Sequence, residues 1–322
     1  MTNPGGLLRK LNFPAELLLV IKELLDPSDL RTHACYYLSS PRVAALYGSA
    51  GDPDAFWRLA CWNCGIGAGL TPLEHDFDGN PSDDLSDPSW EDIALDSITR
   101  DGFCTYPECG ERLLEYNRRS MRSVADEITP FRPHHPSDHD HRIAISGHQL
   151  FGRMVFKWKR PSLNGYGSPI ERDAHLRMSG APLRWSDYAD FESQPDDYPG
   201  LYLGEHPLAA RSFATFPPVS NMLLVYLASN WEEERISLRL VRPIIVLDII
   251  KMVHKGLDKR LDVVDAYEHM SLHEECIPET WSHADAFRVA RNMRSLVSIC
   301  LMQRLEYEEE SEDGPVFSLE LV

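Results

Sequence analysis

Apolar positions in the first sixty residues recur at helical spacing, but in short bursts. Leu17, Ile21, Leu24 and Leu25 fall on one face of a helix that begins near Pro14. Asp26-Pro27-Ser28-Asp29 ends that helix and caps a second one running through Leu30 and His33. Ser39-Ser40-Pro41 opens a third helix, and Asp52-Pro53-Asp54 a fourth carrying Phe56, Trp57 and Leu59. From Thr71 to Pro88 the periodicity disappears into Pro, Gly, Asp and Ser, the pattern of a solvated linker. Helical spacing returns over Trp90 to Ile98 and Glu108 to Arg119, and Pro130 to His141 reads as a loop.

Beyond this point the period shortens to two. Met154, Phe156 and Trp158 alternate with Arg153, Val155 and Lys157, so Gly152 to Trp158 is expected to be a strand. Arg184 to Gly200 is irregular. Asn221 to Ser229 and Ile236 to Val241 predict a β-hairpin turning at Glu232 to Glu234. Pro243 opens a helix in which Val246, Ile249, Ile250 and Val253 share a side, and further helices are expected at Leu261 to His273 and Ala284 to Leu296. Val297 to Tyr307 and Val316 to Leu321 read as closing strands, with the acidic stretch Glu308 to Gly314 as their turn. Strands and helices follow one another without strict βαβ alternation, which favours an α+β fold with antiparallel strands. The expected organisation is a helical module over 1–70, an acidic linker with a Cys/His-containing helical region over 71–150, and an α+β domain over 151–322.

Composition narrows the function classes. With 32 Lys and Arg against 50 Asp and Glu, the formal charge is 32 − 50 = −18, which repels nucleic acid and acidic membrane surfaces. The early apolar run Leu17 to Ile21 is bracketed by Glu16 and by Lys22-Glu23, so neither a signal peptide nor a spanning helix fits it. A protein of the cytoplasm or nucleus is expected. Seven cysteines, an odd number, then read as thiols or metal ligands before disulfides.

One segment is more specific than its composition. Phe13, Pro14, Glu16, Leu17, Ile21, Leu25, Asp29 and Leu30 stand where the F-box family has an apolar residue, Pro, Glu, a Leu/Ile-rich helix and an Asp-Leu start to the next helix. Phe56-Trp57-Arg58-Leu59 is similar to the aromatic-Trp-Arg-Leu element that closes that module, while Cys35-Tyr36-Tyr37-Leu38 departs from the family's intervening pattern. The chain thus resembles a fungal F-box protein. The resemblance implies a substrate-recognition subunit of a cullin-type ubiquitin ligase, a binding protein without chemistry of its own. By resemblance Pro14, Leu17, Leu18, Ile21, Leu25 and Leu30 would face the small adaptor of such ligases, and the C-terminal domain would hold a protein substrate. Trp90-Glu91-Asp92-Ile93-Ala94, Cys104 to Gly110, Phe213 to Val219 and Ile245 to Ile250 resemble an uncharacterised fungal region, which implies shared fold and names no substrate.

Other residues carry chemistry in principle. Cys61 and Cys64 with Cys104 and Cys109 form two close pairs, read either as packed thiols or as the four ligands of a structural zinc. His134, His135, His139 and His141 with Asp138 and Asp140 are metal-ligand types in a polar loop. Glu205-His206 and His273 to Cys276 place acids or bases side by side, where strand alternation separates them. No nucleophile elbow, phosphate loop or dinucleotide fingerprint occurs. Trp185, Tyr188, Phe191, Tyr198 and Tyr202, with Arg177, Arg184 and Arg211, read as walls of a partner-binding pocket or as a cap on the second core. A zinc-binding or metal-dependent enzyme domain with a merely structural helical N-terminus is the alternative to the ligase subunit.

Overall fold

A computed structural model describes residues 13–48, 52, 54–68, 88–99, 109–134, 145–157, 175–178, 207–228, 234–257, 299–311 and 314–321. The chain forms two compact units, each discontinuous in sequence: Met1–Pro133 with His206–Phe213, and His134–Glu205 with Ala214–Val322. The linker expected from Thr71 to Pro88, all but Pro88 itself, the irregular stretch 184–200 and the helices expected over 261–273 and 284–296 lie outside the described residues.

Helix boundaries in the first unit follow the capping chemistry. α1 (Ala15–Leu24) starts behind Pro14, whose carbonyl accepts from the amides of Leu17 and Leu18 at 3.1 and 3.3 Å. α2 (Leu30–Ser39) is capped by Asp29, which accepts from the Thr32 amide at 3.1 Å and the Thr32 hydroxyl at 2.7 Å. Ser40 caps the single turn α3 (Pro41–Ala44) by accepting from the Val43 amide at 3.3 Å. α4 (Ala55–Asn63) begins after Asp54, but the Asp54 side chain is engaged elsewhere. It accepts from the Trp90 amide at 3.0 Å and so fixes the start of α5 (Trp90–Thr99). Gly65, at φ 61°, reverses the chain after α4 while the Ile66 amide donates to the Cys61 carbonyl at 2.9 Å. α6 (Cys109–Ser123) runs one turn beyond the expected Arg119, and α7 (Pro207–Arg211) comes from far along the chain.

Trp57 anchors this core. It is fully buried, stacks on Tyr47 with ring centroids 5.1 Å apart and meets Tyr37 edge-on at 5.3 Å. Leu30, Ala34, Val43, Ala60 and Ile93 are buried in the same unit.

The second unit carries a six-stranded mixed sheet of order β3-β2-β7-β8-β5-β6, built from β2 (Met154–Lys157), β3 (His175–Met178), β5 (Asn221–Ala228), β6 (Glu234–Arg239), β7 (Ile299–Ser311) and β8 (Gly314–Leu321). The predicted hairpin is present, with Leu224 opposite Ile236 and Met222 opposite Leu238. The acidic stretch expected as a turn is largely strand: β7 and β8 stay paired antiparallel as far as Ser311 opposite Gly314, so Glu308 to Glu310 belong to β7. The strand expected over Gly152 to Trp158 begins later, because Gln149–Arg153 forms a 3₁₀ turn and β2 starts at Met154; Trp158 lies outside the described residues. β5 and β8 pair in parallel, the one exception to the antiparallel pattern among the described strands. α8 (Val246–Leu257) buries Val246, Ile249 and Ile250, the face its periodicity marks. A small ladder joins β1 (Ser146–Gly147) to β4 (Thr215–Phe216). Among the described residues no helix is long and apolar enough to cross a membrane.

Candidate docking surface

α1 is an amphipathic helix turned the unusual way round. Leu18 is its one buried residue, at 6% exposure. Lys22, one turn further along the same face, also points inward: its Nζ donates to the Leu46 carbonyl at 2.7 Å and sits 4.6 Å from the Tyr47 ring centre and 5.1 Å from that of Phe56. Burial pushes the Lys22 ammonium below its usual pKa, opposed by the charge of Glu23. The Tyr36 hydroxyl donates to the Leu18 carbonyl at 2.9 Å and pins the helix from α2. With a lysine turned in, aliphatic side chains are left outside: Leu17, Leu19, Val20, Ile21 and Leu24 are 49%, 42%, 46%, 39% and 80% exposed. Single exposed aliphatics are ordinary, but at 100° per residue Leu17, Val20, Ile21 and Leu24 share one side of α1 and form a patch of the kind that marks an interaction site, while Leu19 is exposed on another side, next to Glu23.

The floor beneath Lys22 is a tight aromatic cluster. His33 is 1% exposed, with Nδ1 at 2.9 Å from the Tyr47 hydroxyl and Nε2 at 3.2 Å from the Asp26 carbonyl. Its ring meets Phe56 at 4.7 Å and Tyr47 at 5.8 Å, both edge-on. Burial pushes the imidazole below its ordinary pKa; the Asp26 carbonyl and the charges of Asp29 and Asp26 pull the other way, while Lys22 adds to the depression. Burial also raises the Tyr47 phenol well above its usual value. Asp26, at the corner between α1 and α2, accepts from the Ser28 amide at 2.9 Å and the Ser28 hydroxyl at 2.7 Å, which hold its carboxyl below the usual range. Arg122 of α6 donates to the same carboxylate and, at 2.9 Å, to Ser28 Oγ, so the corner is tied down from a distant helix. Tyr37 donates to Glu91, and that bond pushes its phenol up to about 12.

Of the residues assigned to adaptor contact by resemblance, Pro14, Leu17 and Ile21 are exposed and Leu25 is half-buried. Leu18 and Leu30, at 6% and 1% exposure, are core residues of the first unit, so no partner reaches them while it is folded. Leu19, Val20 and Leu24 were not in that set; Val20 and Leu24 complete the exposed face, and Leu19 is exposed on another side of the helix. A signal for them was present: at 100° per residue, five consecutive apolar residues from Leu17 to Ile21 surround the helix, so some must face outward.

The other predicted sites are described only in part. Cys61 and Cys64 are both buried at the end of α4, and the Cys64 thiol donates to the Ser28 carbonyl at 3.1 Å. Burial pushes Cys64 up to about 12 and Cys61 well above its usual value. Cys104 lies outside the described residues, and of Cys109 only the backbone, opening α6, is described. No group of three or more His, Cys, Asp or Glu able to hold a metal occurs among the described residues. His134 donates its amide to the Pro218 carbonyl at 2.7 Å; His135, His139 and His141 lie outside the description. Trp185, Tyr188 and Tyr202 lie outside it too, while Arg211, expected beside them, is 7% exposed at the end of α7, where its charge acts on the Cys61 thiol. Comparison with protein-family models, with curated proteins and with solved structures finds no match to this chain.

Proposed function

We propose that the protein is a substrate-recognition subunit of a cullin-type ubiquitin ligase, docking on the ligase adaptor through the outward face of α1. One observation carries this reading: α1 turns a lysine inward and leaves Leu17, Leu19, Val20, Ile21 and Leu24 exposed, on the helix whose sequence resembles the opening of an F-box. Helix-in-groove recognition needs a few apolar anchors on a preformed helix, and α1 supplies them with little further ordering to do on binding. The adaptor-facing set is accordingly Pro14, Leu17, Val20, Ile21 and Leu24, with the half-buried Leu25 at its edge and Leu18 and Leu30 supporting it from within. Ubiquitin transfer falls to partners, and the second unit is the proposed holder of the protein substrate. Such a protein works in the cytoplasm or nucleus.

The test is binding of the purified adaptor to wild type and to Leu17→Asp with Ile21→Asp, both checked by circular dichroism. Burying one aliphatic side chain contributes about 1.5–3 kcal/mol, so the double variant, folded as before, should lose affinity by about a hundredfold or more. A folded wild type that fails to bind adaptor at micromolar concentration removes the reading. Adaptor-independent self-association through α1, seen by light scattering and abolished by the same double variant, would assign the face to a second copy instead.

A further inference from the structure

Lys22 and His33 use the same two rings. Lys22 rests over Tyr47 and Phe56 from α1, and His33 abuts both rings edge-on from α2. The hydrogen bonds around His33 are consistent with one protonation state: Nε2–H donates to the Asp26 carbonyl, and the Tyr47 hydroxyl donates to Nδ1. A second proton on His33 turns Nδ1 into a donor, so the Tyr47 hydroxyl must swing to its longer alternative, the His33 carbonyl at 3.5 Å, to accept from it. It also places a second cation against the two rings that Lys22 already uses.

We infer that His33, Tyr47 and Lys22 form a proton-operated latch on α1: when His33 takes up a proton, Lys22 leaves its aromatic seat and α1 loosens from the first unit. As regulation of the docking face, the inference rests on the function proposed above; as a property of α1 it stands alone. The groups facing His33 are Lys22 from α1, Asp26 from the α1–α2 corner, Asp29 at the start of α2, Tyr47 after α3 and Phe56 from α4. Asp26 stays charged in the relevant range because Ser28 and Arg122 hold it so. The sign follows from burial. The latched state favours neutral His33, so latching is complete above the ordinary histidine value of 6.5 and is lost as pH falls below it towards the depressed folded-state value.

Hydrogen exchange of α1 in the full chain reads this without any adaptor. After correction for intrinsic rates, protection of Ala15–Leu24 should fall several-fold from pH 7.5 to pH 5.5, while α8 in the second unit keeps its own. His33→Gln should abolish the α1 drop. Tyr47→Phe keeps the ring but removes the donor to Nδ1, so its drop should begin at higher pH; it serves as the deciding variant if His33→Gln does not fold. Protection of α1 that ignores pH, an equal drop in His33→Gln, or an unshifted profile in Tyr47→Phe each overturns the latch. Failure to bind adaptor at pH 7.5 overturns the docking role and leaves this result standing.

Discussion

Lys22 shows how one residue can reverse the meaning of a helix: read by hydropathy it belongs to the solvent side, yet its ammonium caps the Leu46 carbonyl over two aromatic faces. No local pattern announces this, because Leu46, Tyr47 and Phe56 lie 24 to 34 residues away. Cys61 and Cys64 are the converse case. Their two-residue spacing is read either as ligands or as packed thiols, and their burial at the end of α4 is set by contacts that spacing does not encode. Thiol labelling at pH 8 followed by mass spectrometry should therefore modify the exposed Cys35 quickly and leave Cys61 and Cys64 untouched until the chain is denatured. A chelator should not change their rate; a chelator-dependent burst of labelling would restore them as zinc ligands. Gly147 gives a second residue-scale prediction. A Cβ there would lie 2.1 Å from the Leu305 carbonyl oxygen and 2.7 Å from Leu305 Cβ, backbone and buried core that have nowhere to go. Gly147→Ala should destabilise the second unit by about 3 kcal/mol, the upper end for overpacking, measured by urea denaturation; a midpoint unchanged from wild type would mean β1 moves freely against β7.

Elements were legible where their chemistry is local. Asp29 and Ser40 cap the helices their positions promise, and the β5–β6 hairpin pairs as its alternation requires. Pairings between distant strands were not legible, because a period of two names a face and never a partner: nothing in Val316 to Leu321 indicates a parallel neighbour at Leu223 to Ala228. Glu308 to Glu310 misled for a related reason, since their charge suggests a turn while pairing to β8 holds them extended. α8 offers the clearest test of local capping. Asp248, at its third position, accepts from the Ile245 amide at 2.9 Å and from both Arg242 nitrogens at 2.6 and 2.9 Å, one half of a capping box with a bidentate ion pair added. Removing it with Asp248→Ala should cost about 2 kcal/mol in urea unfolding. Arg242→Ala alone should cost less, because the backbone bond to Asp248 survives; equal losses would show that the ion pair, not the cap, carries the effect.

At the scale of the molecule, the first unit does not end where its helices end in sequence. Residues 206–213 complete it: Leu208, Ala209 and Phe213 are fully buried, Phe213 lies 5.2 Å from Trp62, the Phe213 amide donates to the Gly65 carbonyl at 2.7 Å, and Asn117 donates to Ser212 Oγ at 2.9 Å. A five-residue helix has too few turns to show periodicity, which is why α7 escaped a reading based on pattern. Its loss has a computable weight. Burial of Leu208 and Phe213 contributes about 3–6 kcal/mol together, comparable with the whole stability of an ordinary domain of about 5–15 kcal/mol. The Gly65 carbonyl, the Gly67 amide now paired with the Arg211 carbonyl at 2.8 Å, and the Asn117 amide would also lose their partners, at a further cost for any that stay buried. A fragment ending at Pro133 should therefore be far less stable than the same helices in the full chain, with Trp62 exposed to water and fluorescence shifted to the red. The replacement Phe213→Ala in the full chain should reproduce part of the effect, about 3–5 kcal/mol, in denaturation followed by the same fluorescence. If the fragment unfolds cooperatively at the midpoint of the full chain, the helices before Pro133 form a self-sufficient module, and the segment at 206–213 is a passenger on it.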